Sequence, residues 1–369
     1  MATKDGIAEL KVGGSYFGGW TALSVGRSIE QVAGTFSLDV TDRWAGQAAA
    51  RPIMPGAACE LFLDGERVIY GYTDDAEPEF DSLNHALHVA GRDRTGDLVD
   101  CSAIHKSGQW RGARLDTIAR DLLAPFGIGL VVETDVGEAF PSFNVQEGET
   151  VFECLERGAR MRAVLLVSDT SGNLVITRAG AALIPVTLEE GVNILAGRGT
   201  FSWKDRYSRI VVKGQAHATD DFYSTQAAGP SSAVTDAAID RYRPLVVLAE
   251  EHGSGNTLAN RATWERNVRA GRGNRGAITV QGWRRPDGLL WQPNTLVSVK
   301  SPSLYLDAPM LIVGCTWRLD EQGTRTDLTI ARREAFELQT GIGVSRLRAK
   351  LNDKEQSEKK KKGDDWGAQ

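Results

Sequence analysis

Two stretches of the chain, about 240 residues apart, spell the same β-unit. A chain that writes one unit twice predicts two related domains that place similar surfaces at two stations. The first copy opens at the turn Pro55-Gly56, runs Ala57 to Leu63, turns at Asp64-Gly65, climbs Val68 to Thr73 and returns over His85–Ala90 before Gly91-Arg92-Asp93-Arg94. The second opens at Pro293-Asn294, runs Leu296–Val299, climbs Met310–Thr316 and returns over Thr326–Ala331 before Arg332-Arg333-Glu334. Proline, glycine, asparagine and aspartate supply the dihedrals that turns require, and the runs between them are rich in β-branched and apolar residues. Gly71 and Gly314 each interrupt a climbing strand, where glycine marks a bulge or a close backbone approach. The pattern predicts that these two glycines occupy matching positions.

With 369 residues the chain exceeds what one hydrophobic core holds and predicts two to four domains. The net charge of -5 provides no general attraction to nucleic acid or to anionic membrane. Cys59, Cys101, Cys154 and Cys315 lie far apart with no CxxC pair, which predicts buried thiols of a protein made in a reducing cytoplasm, without zinc or disulfides. Met1 to Gly6 lacks the apolar run of a signal peptide, and no stretch is long and apolar enough to span a bilayer.

Residues 1–99 alternate apolar and polar positions with period two, as in Ala8–Val12, Ala22–Val25 and Gly34–Val40, and predict a first β-domain. From Gly112 the period lengthens: Leu115, Ile118, Ala119, Leu122 and Leu123 share one helical face that Pro125 and Gly127 end. Thr150 followed by Glu153 is a capping box and starts a second helix running to about Met161. Val164–Val167 and Leu174–Thr177 flank a hairpin turn at Asp169–Asn173, so 100–180 reads as a small α/β domain. Strand texture resumes at Val186–Leu188 and Arg209–Gly214, assigning 181–215 with 276–340 to the second β-domain. Between them, 216–275 reads as an inserted region with a loop over Ser224–Ala233 and a helix over Thr257–Ala270. The last segment, 341–369, reads as a flexible charged tail: it carries Lys359–Lys362 and almost no apolar residues after Leu351. It is either a solubilising end or a segment that orders on a partner through Trp366. The fold class is thus β-rich α+β, two related β-domains with small α/β insertions.

The search for chemistry points away from catalysis. His85 and His88, three apart on a strand, face opposite ways and cannot share a metal. Gly253-Ser254-Gly255 beside His252 lacks the strand-to-helix elbow of a hydrolase, and Gly91–Asp97 lacks the Gly-Lys-Ser/Thr of a phosphate loop. Asp74-Asp75, Glu189-Glu190 and Glu250-Glu251 are adjacent carboxylates that point to different sides in strands and turns. No catalytic, cofactor-binding or metal-ligating residue is assigned, and no enzyme activity or cofactor is expected.

Two surfaces carry other readings. Between Arg261 and Arg285, Arg266, Arg269, Arg272, Arg275 and Arg284 face a single acid, Glu265, for a local charge of about +6. Such a cluster suits an acidic face of a neighbouring subunit better than nucleic acid, given the acidic whole chain and few interleaved aromatics, or it is an ordinary solvated helix face. Phe143 to Val151 resembles the opening of a LysM peptidoglycan-binding repeat over about 15 residues, and residues 143–162 are the alternative glycan-binding segment.

Taken together, Gly282-Trp283, Gly288–Val297, Met310–Val313, Thr316-Trp317, Gly323–Thr329 and Glu334-Ala335-Phe336 resemble the closing half of baseplate hub proteins of contractile phage tails, the Mu-type hub and the wider late control D group. Phe36-Ser37-Leu38, Arg43-Trp44, Pro52–Gly56, Asp64-Gly65-Glu66, Gly71-Tyr72 and Gly91–Asp100 fit the same family, and the resemblance spans roughly 5–338. It implies that the two β-domains are tube-type β-barrels and that the protein is a non-enzymatic homotrimer. It further implies a symmetry adaptor in the virion's tail baseplate, assembled in the host cytoplasm, which joins a sixfold tail tube to a threefold central spike and aids host cell entry. The implied partners are the spike protein, the tail tube protein, other baseplate proteins and the tape measure protein, without sequence-specific nucleic acid binding or stable membrane insertion. The alternatives are a peptidoglycan-binding tail protein for cell-wall penetration, or the equivalent adaptor of a bacteriocin or secretion spike.

Overall fold

The computed structural model describes residues 6–41, 53–81, 85–214, 231–248 and 255–336. Arg43-Trp44, His252 to Ser254, the 224–230 part of the expected loop and the charged tail lie outside the described residues. The chain forms two compact units, one of residues 1–201 with 274–336 and one of 202–273 with 337–369.

The first unit begins with seven strands: β1 (Ala8–Val12), β2 (Ser15–Phe17), β3 (Ala22–Ser28), β4 (Thr35–Thr41), β5 (Ala58–Leu63), β6 (Glu66–Phe80) and β7 (His85–Asp93). Their alternation is what buries them: Leu23 and Val25, Phe36 and Leu38, Cys59, Leu61 and Leu63, and Leu87 and Val89 point inward while their neighbours stay wet. The α/β segment follows, with α1 (Gly96–Asp100), β8 (Gln109–Trp110), α2 (Leu115–Leu123), β9 (Leu130–Val132), β10 (Phe143–Asn144), α3 (Val151–Arg162), β11 (Leu165–Ser168) and β12 (Leu174–Thr177). The five apolar residues of the periodic stretch are all buried in α2, and the 3-10 turn Ala124–Phe126 that follows it ends at Gly127 in the left-handed conformation. Thr150 and Glu153 close the expected capping box on α3, and Asp169 holds the hairpin turn by accepting from the amides of Ser171 and Asn173. This segment has its own core around Leu98, Leu115, Ile118, Phe140, Leu155 and Ile176. β13 (Leu183–Glu189) and β14 (Ala196–Phe201) return to the large sheet.

The second unit contains β15 (Arg209–Lys213), β16 (Ser231–Thr235), β17 (Pro244–Leu248) and α4 (Gly255–Arg272). β15 is central, antiparallel to β16 and parallel to β17, and Leu258 and Ala262 of α4 pack with Val212. Two expectations change here. The strand at Arg209–Lys213 belongs to this three-stranded sheet and not to the large one, because β16 and β17 supply its ladder and Val212 packs with Leu258 and Ala262 of α4. Ser231 to Ala233, expected in a loop, is the start of β16, since the ladder with β15 supplies backbone partners that its small residues do not signal.

The chain then re-enters the first unit with β18 (Asn274–Gln281), β19 (Leu296–Ser301), β20 (Leu306–Asp320) and β21 (Gly323–Ala331). Thirteen strands form one sheet in the order β14-β18-β21-β20-β3-β4-β7-β6-β5-β1-β2, with β19 on β20 and β13 on β19. The two copies of the β-unit are therefore halves of a single sheet. One core runs under both, from Leu10, Leu38 and Ile69 to Ile278, Trp283, Val297, Trp317 and Ile330.

Candidate functional site

The functional geometry of this protein lies in how its sheet is joined and where it is left open. Within the first half the strand order β3-β4-β7-β6-β5-β1 repeats, strand for strand, as β14-β18-β21-β20-β19-β13 in the second. The correspondence holds at single hydrogen bonds. Thr73 donates to the Ala57 carbonyl and accepts from the Gly56 amide; Ile312 donates to Thr295 and accepts from Asn294. Gly56 and Asn294 both have left-handed backbones, with φ of 78° and 63°, so the Pro-Gly and Pro-Asn turns are the same device. One residue later both long strands bulge: the β6–β7 register slips between Thr73 and Asp75, and the β20–β21 register between Ile312 and Gly314. The copies part at the rim, where β1 meets β5 antiparallel and β13 meets β19 parallel, and at the register shift between Leu61 and Phe62 that β19–β20 lacks.

This alignment corrects the expected match of Gly71 with Gly314. Relative to the bulges, Gly71 stands where Met310 stands and Gly314 where Asp75 stands, four residues away. Their reasons differ as well. A Cβ on Gly71 would lie 1.9 Å from the Arg92 carbonyl oxygen, whereas one on Gly314 would meet the Arg27 carbonyl at 3.3 Å. Side-chain pairs have been exchanged between copies. Phe36 covers Gly91 in the first half, and at the equivalent pair Ile330 covers Gly276 in the second. Likewise the bond of His88 to Asp39 at 2.7 Å is replaced by that of Thr279 to Asp327 at 2.6 Å.

The halves are joined by β3 and β20, antiparallel, with Ser28 opposite Gly314, Val25 opposite Trp317, Ser24 opposite Arg318 and Leu23 opposite Leu319. Among the described residues the equivalent edges have no second partner: β14 pairs only with β18, and the outer part of β6, Asp75–Phe80, pairs only with β7. Both are exposed, and both carry apolar rings: Phe80 is 78 % and Phe201 49 % exposed.

The segment Gly91–Asp97 is a structural joint. Asp93 is buried and accepts from the Gly34 and Thr95 amides and from the Thr95 and Ser168 hydroxyls, at 2.5–3.0 Å. Arg27, half-buried, reaches the carbonyl of Ser168 beside it. Burial pushes the Asp93 carboxyl above its usual 3.8 despite the opposing pull of these hydroxyls, the Gly34 amide and Arg27. Arg92 holds Asp74 and Asp100, and Arg94 donates to the Phe126 and Gly127 carbonyls. These bonds tie β7 to the α/β segment. The sequence signal for this joint is an aspartate flanked by two arginines and followed by a threonine, Arg92-Asp93-Arg94-Thr95.

The arginine run does not form one patch. Arg261 and Arg269 clamp Glu265 on α4, Arg275 pairs with Glu30, Arg284 with Glu66 and Asp64, and Arg285 with Asp287. Helical spacing sets the first two pairs, the fold brings Arg275 and Arg284 to acids distant in sequence, and Arg285–Asp287 is a local pair within one turn. His85 stacks on Phe80 while His88 takes Asp39, so the two do face different neighbours. Cys59, Cys154 and Cys315 are buried, and desolvation pushes the first two thiols up to about 12. Cys101 is exposed, against expectation, because α1 ends there and the chain turns outward. In the 143–162 stretch, Phe143 is buried under Arg157, whose guanidinium lies 4.5 Å from the ring centre. Among the described residues no group of three or more His, Cys, Asp or Glu could hold a metal, and no helix is long and apolar enough to cross a membrane.

Comparison with known proteins agrees with this architecture. Residues 7–93 match the N-terminal domain of the Mu phage baseplate assembly protein GpP-like family, 95–178 the second domain of the baseplate hub protein gp44-like family, and 254–339 the fourth domain of the Mu phage baseplate assembly protein GpP. The baseplate hub protein gp44 of Escherichia phage Mu is 34% identical over 336 residues, covering 89% of this chain and 88% of that protein. The crystal structure of the 43 kDa tail protein of prophage MuSo2 from Shewanella oneidensis superposes with a TM-score of 0.82 at 41% identity, over 90% of this chain and 99% of that one. A tail protein from Neisseria meningitidis MC58 shares the fold, with a TM-score of 0.78 at 24% identity over 90% of this chain and 98% of its own. With its β-rich α+β fold and a relative matched across nearly all of both sequences, the chain belongs to the family of phage baseplate hub proteins, components of the virion tail.

Proposed function

We propose that three copies of this chain form a ring that joins a sixfold tail tube to a threefold central spike, acting as a structural part and not as an enzyme. Each half of the large sheet is read as one tube-type barrel, the first within 1–99 and the second built from 181–215 and 276–340 less the strand that left it. The observation that carries this reading is the repeated strand order with the same turn and the same bulge in each half. Homo-oligomers favour closed cyclic symmetry, and a threefold ring of twice-written chains offers six nearly equivalent stations around its axis. A threefold object and a sixfold one can then bind opposite faces of one ring. The spike, the tube and neighbouring baseplate proteins are the partners this geometry suits, with the tape measure protein reaching the same axis. Light scattering of the purified full chain tests it: the expected mass is three times that of the chain, and class averages by electron microscopy should show rings with six similar lobes. A stable monomer or a closed dimer at high concentration overturns it.

A further inference from the structure

A guanidinium taken partly out of water is normally held by a carboxylate. Arg67, Arg92 and Arg284 follow that rule, with ion pairs to Glu60, Asp74 and Glu66. Arg27 of β3, half-buried, departs from it. One of its N–H groups goes to the Ser168 carbonyl, and among the described residues it makes no ion pair. Desolvation lowers its pKa by more than the attraction of Asp93 and Asp169, which it does not touch, raises it.

Arg27 lines a cleft of about 670 Å³ inside the first unit. Three parts of the fold meet there: β3 with the β5–β6 hairpin, the loop before β19 with Trp317 of β20, and the β11–β12 hairpin of the α/β segment. Phe62, Val68, Val167 and Val175 give it apolar walls. Some of its polar groups are spent, since Asn294 is held by Gly180 and Arg178 and the Ser168 hydroxyl by Asp93. Others are not. The side chains of Thr170, Gln292 and Glu133 make no hydrogen bond or ion pair among the described residues, and the buried indole N–H of Trp317 meets no acceptor. Gln292 and Glu133 are exposed, which puts them at the rim, with Arg27 deeper.

We propose that this cleft takes a short extended segment of a partner protein, with one acidic side chain of that segment set on Arg27. The remaining donors of the guanidinium match a carboxylate in two parallel N–H···O bonds. Apolar neighbours of that acid lie against Phe62, Val167 and Val175, and Thr170 and Gln292 are free to bond the segment's backbone. The volume falls in the ordinary range for a bound ligand and exceeds what one inorganic anion fills. Glu133 sets a limit at the rim: it repels a second carboxylate, so the cleft selects a single acid among apolar residues over a polyacidic run. A segment bound there braces both halves of the sheet and the α/β segment together. The site rests on the reading above only in taking a protein as its occupant, and it is independent of how many copies form the ring.

Fluorescence anisotropy with the full chain and labelled, end-blocked peptides tests it. Val-Glu-Val should bind at least about tenfold more tightly than Val-Gln-Val and than Glu-Glu-Glu, and Glu133→Gln should narrow the second gap. Arg27→Met should abolish the preference for Glu over Gln, and Arg27→Lys should keep part of it. Because Arg27 also holds Ser168, Gln292→Trp serves as a second variant: it narrows the rim from an exposed position, and should weaken Val-Glu-Val at least about tenfold with the thermal midpoint unchanged. Equal binding of the Glu and Gln peptides, a Kd above about 1 mM for both, or binding indifferent to Arg27→Met and Gln292→Trp overturns the site. Displacement of Val-Glu-Val by an equal concentration of free succinate overturns the peptide assignment in favour of a small carboxylate. A monomer by light scattering that still binds Val-Glu-Val overturns the ring and supports this site.

Discussion

At the scale of single residues, two glycines that look alike in the sequence do different work. Gly71 lies against the β7 backbone, so Gly71→Ala has no room and should cost at least about 1–3 kcal/mol, lowering the midpoint of urea unfolding. Gly314→Ala meets its nearest atoms at 3.3–3.4 Å and should cost less than about 1 kcal/mol in the same measurement. Asp93 gives a prediction in pH. Its folded pKa is raised, so the folded protein holds this proton where the unfolded chain has released it, and its contribution is fully present below 3.8 and lost as pH rises through the folded value. Relative to Asp93→Asn, the parent protein should therefore lose unfolding free energy as pH rises above 3.8. A difference that grows in the parent's favour over that window would show that the hydroxyl and amide donors outweigh burial.

At the scale of elements, the recurring device is a turn, a strand and a bulge. Pro55-Gly56 and Pro293-Asn294 place a left-handed residue just before β5 and β19, bonded to the middle of each long strand, but they reach stability by different routes. Gly56 has open space beyond its missing Cβ, while the Asn294 side chain accepts from the Gly180 amide and donates to the Arg178 carbonyl. Asn294→Gly relieves the left-handed cost and loses both bonds, for a net destabilisation of about 1 kcal/mol by chemical denaturation. A stabilised variant would mean that the backbone cost exceeds the bonds. The α3 cap follows the simpler rule: Thr150→Ala should remove about 1 kcal/mol, because the Glu153 amide loses its acceptor at the helix start. Both caps and turns were legible in the sequence because their residue types answer to dihedrals and orphan donors a few positions away. The bulges were not, since a bulge exists only against a partner strand.

At the scale of the whole molecule, the smaller unit is an insertion into a hairpin. Phe201 and Asn274 are cross-strand neighbours in β14 and β18, so the chain leaves and re-enters the large sheet at adjacent points. Replacing 202–273 by a two-residue Asn-Gly turn should leave the first unit folded, with one cooperative thermal transition; loss of that transition would show that the sheet needs the inserted unit to form. The sequence by itself determined the duplication, the alternation of the strands, the two helices of the α/β segment with the capping box on the second, and the family resemblance that the comparisons bear out. These depend on contacts between residues near in sequence or on residue type alone. Tertiary structure decided that the two copies are halves of one sheet, that Asp93 anchors β7 to the α/β segment, that the arginines disperse onto separate acids, and that Arg209–Lys213 belongs elsewhere. Each of those is settled by which strand lies next to which, a pairing between residues as far apart as Leu23 and Leu319 that no local pattern encodes.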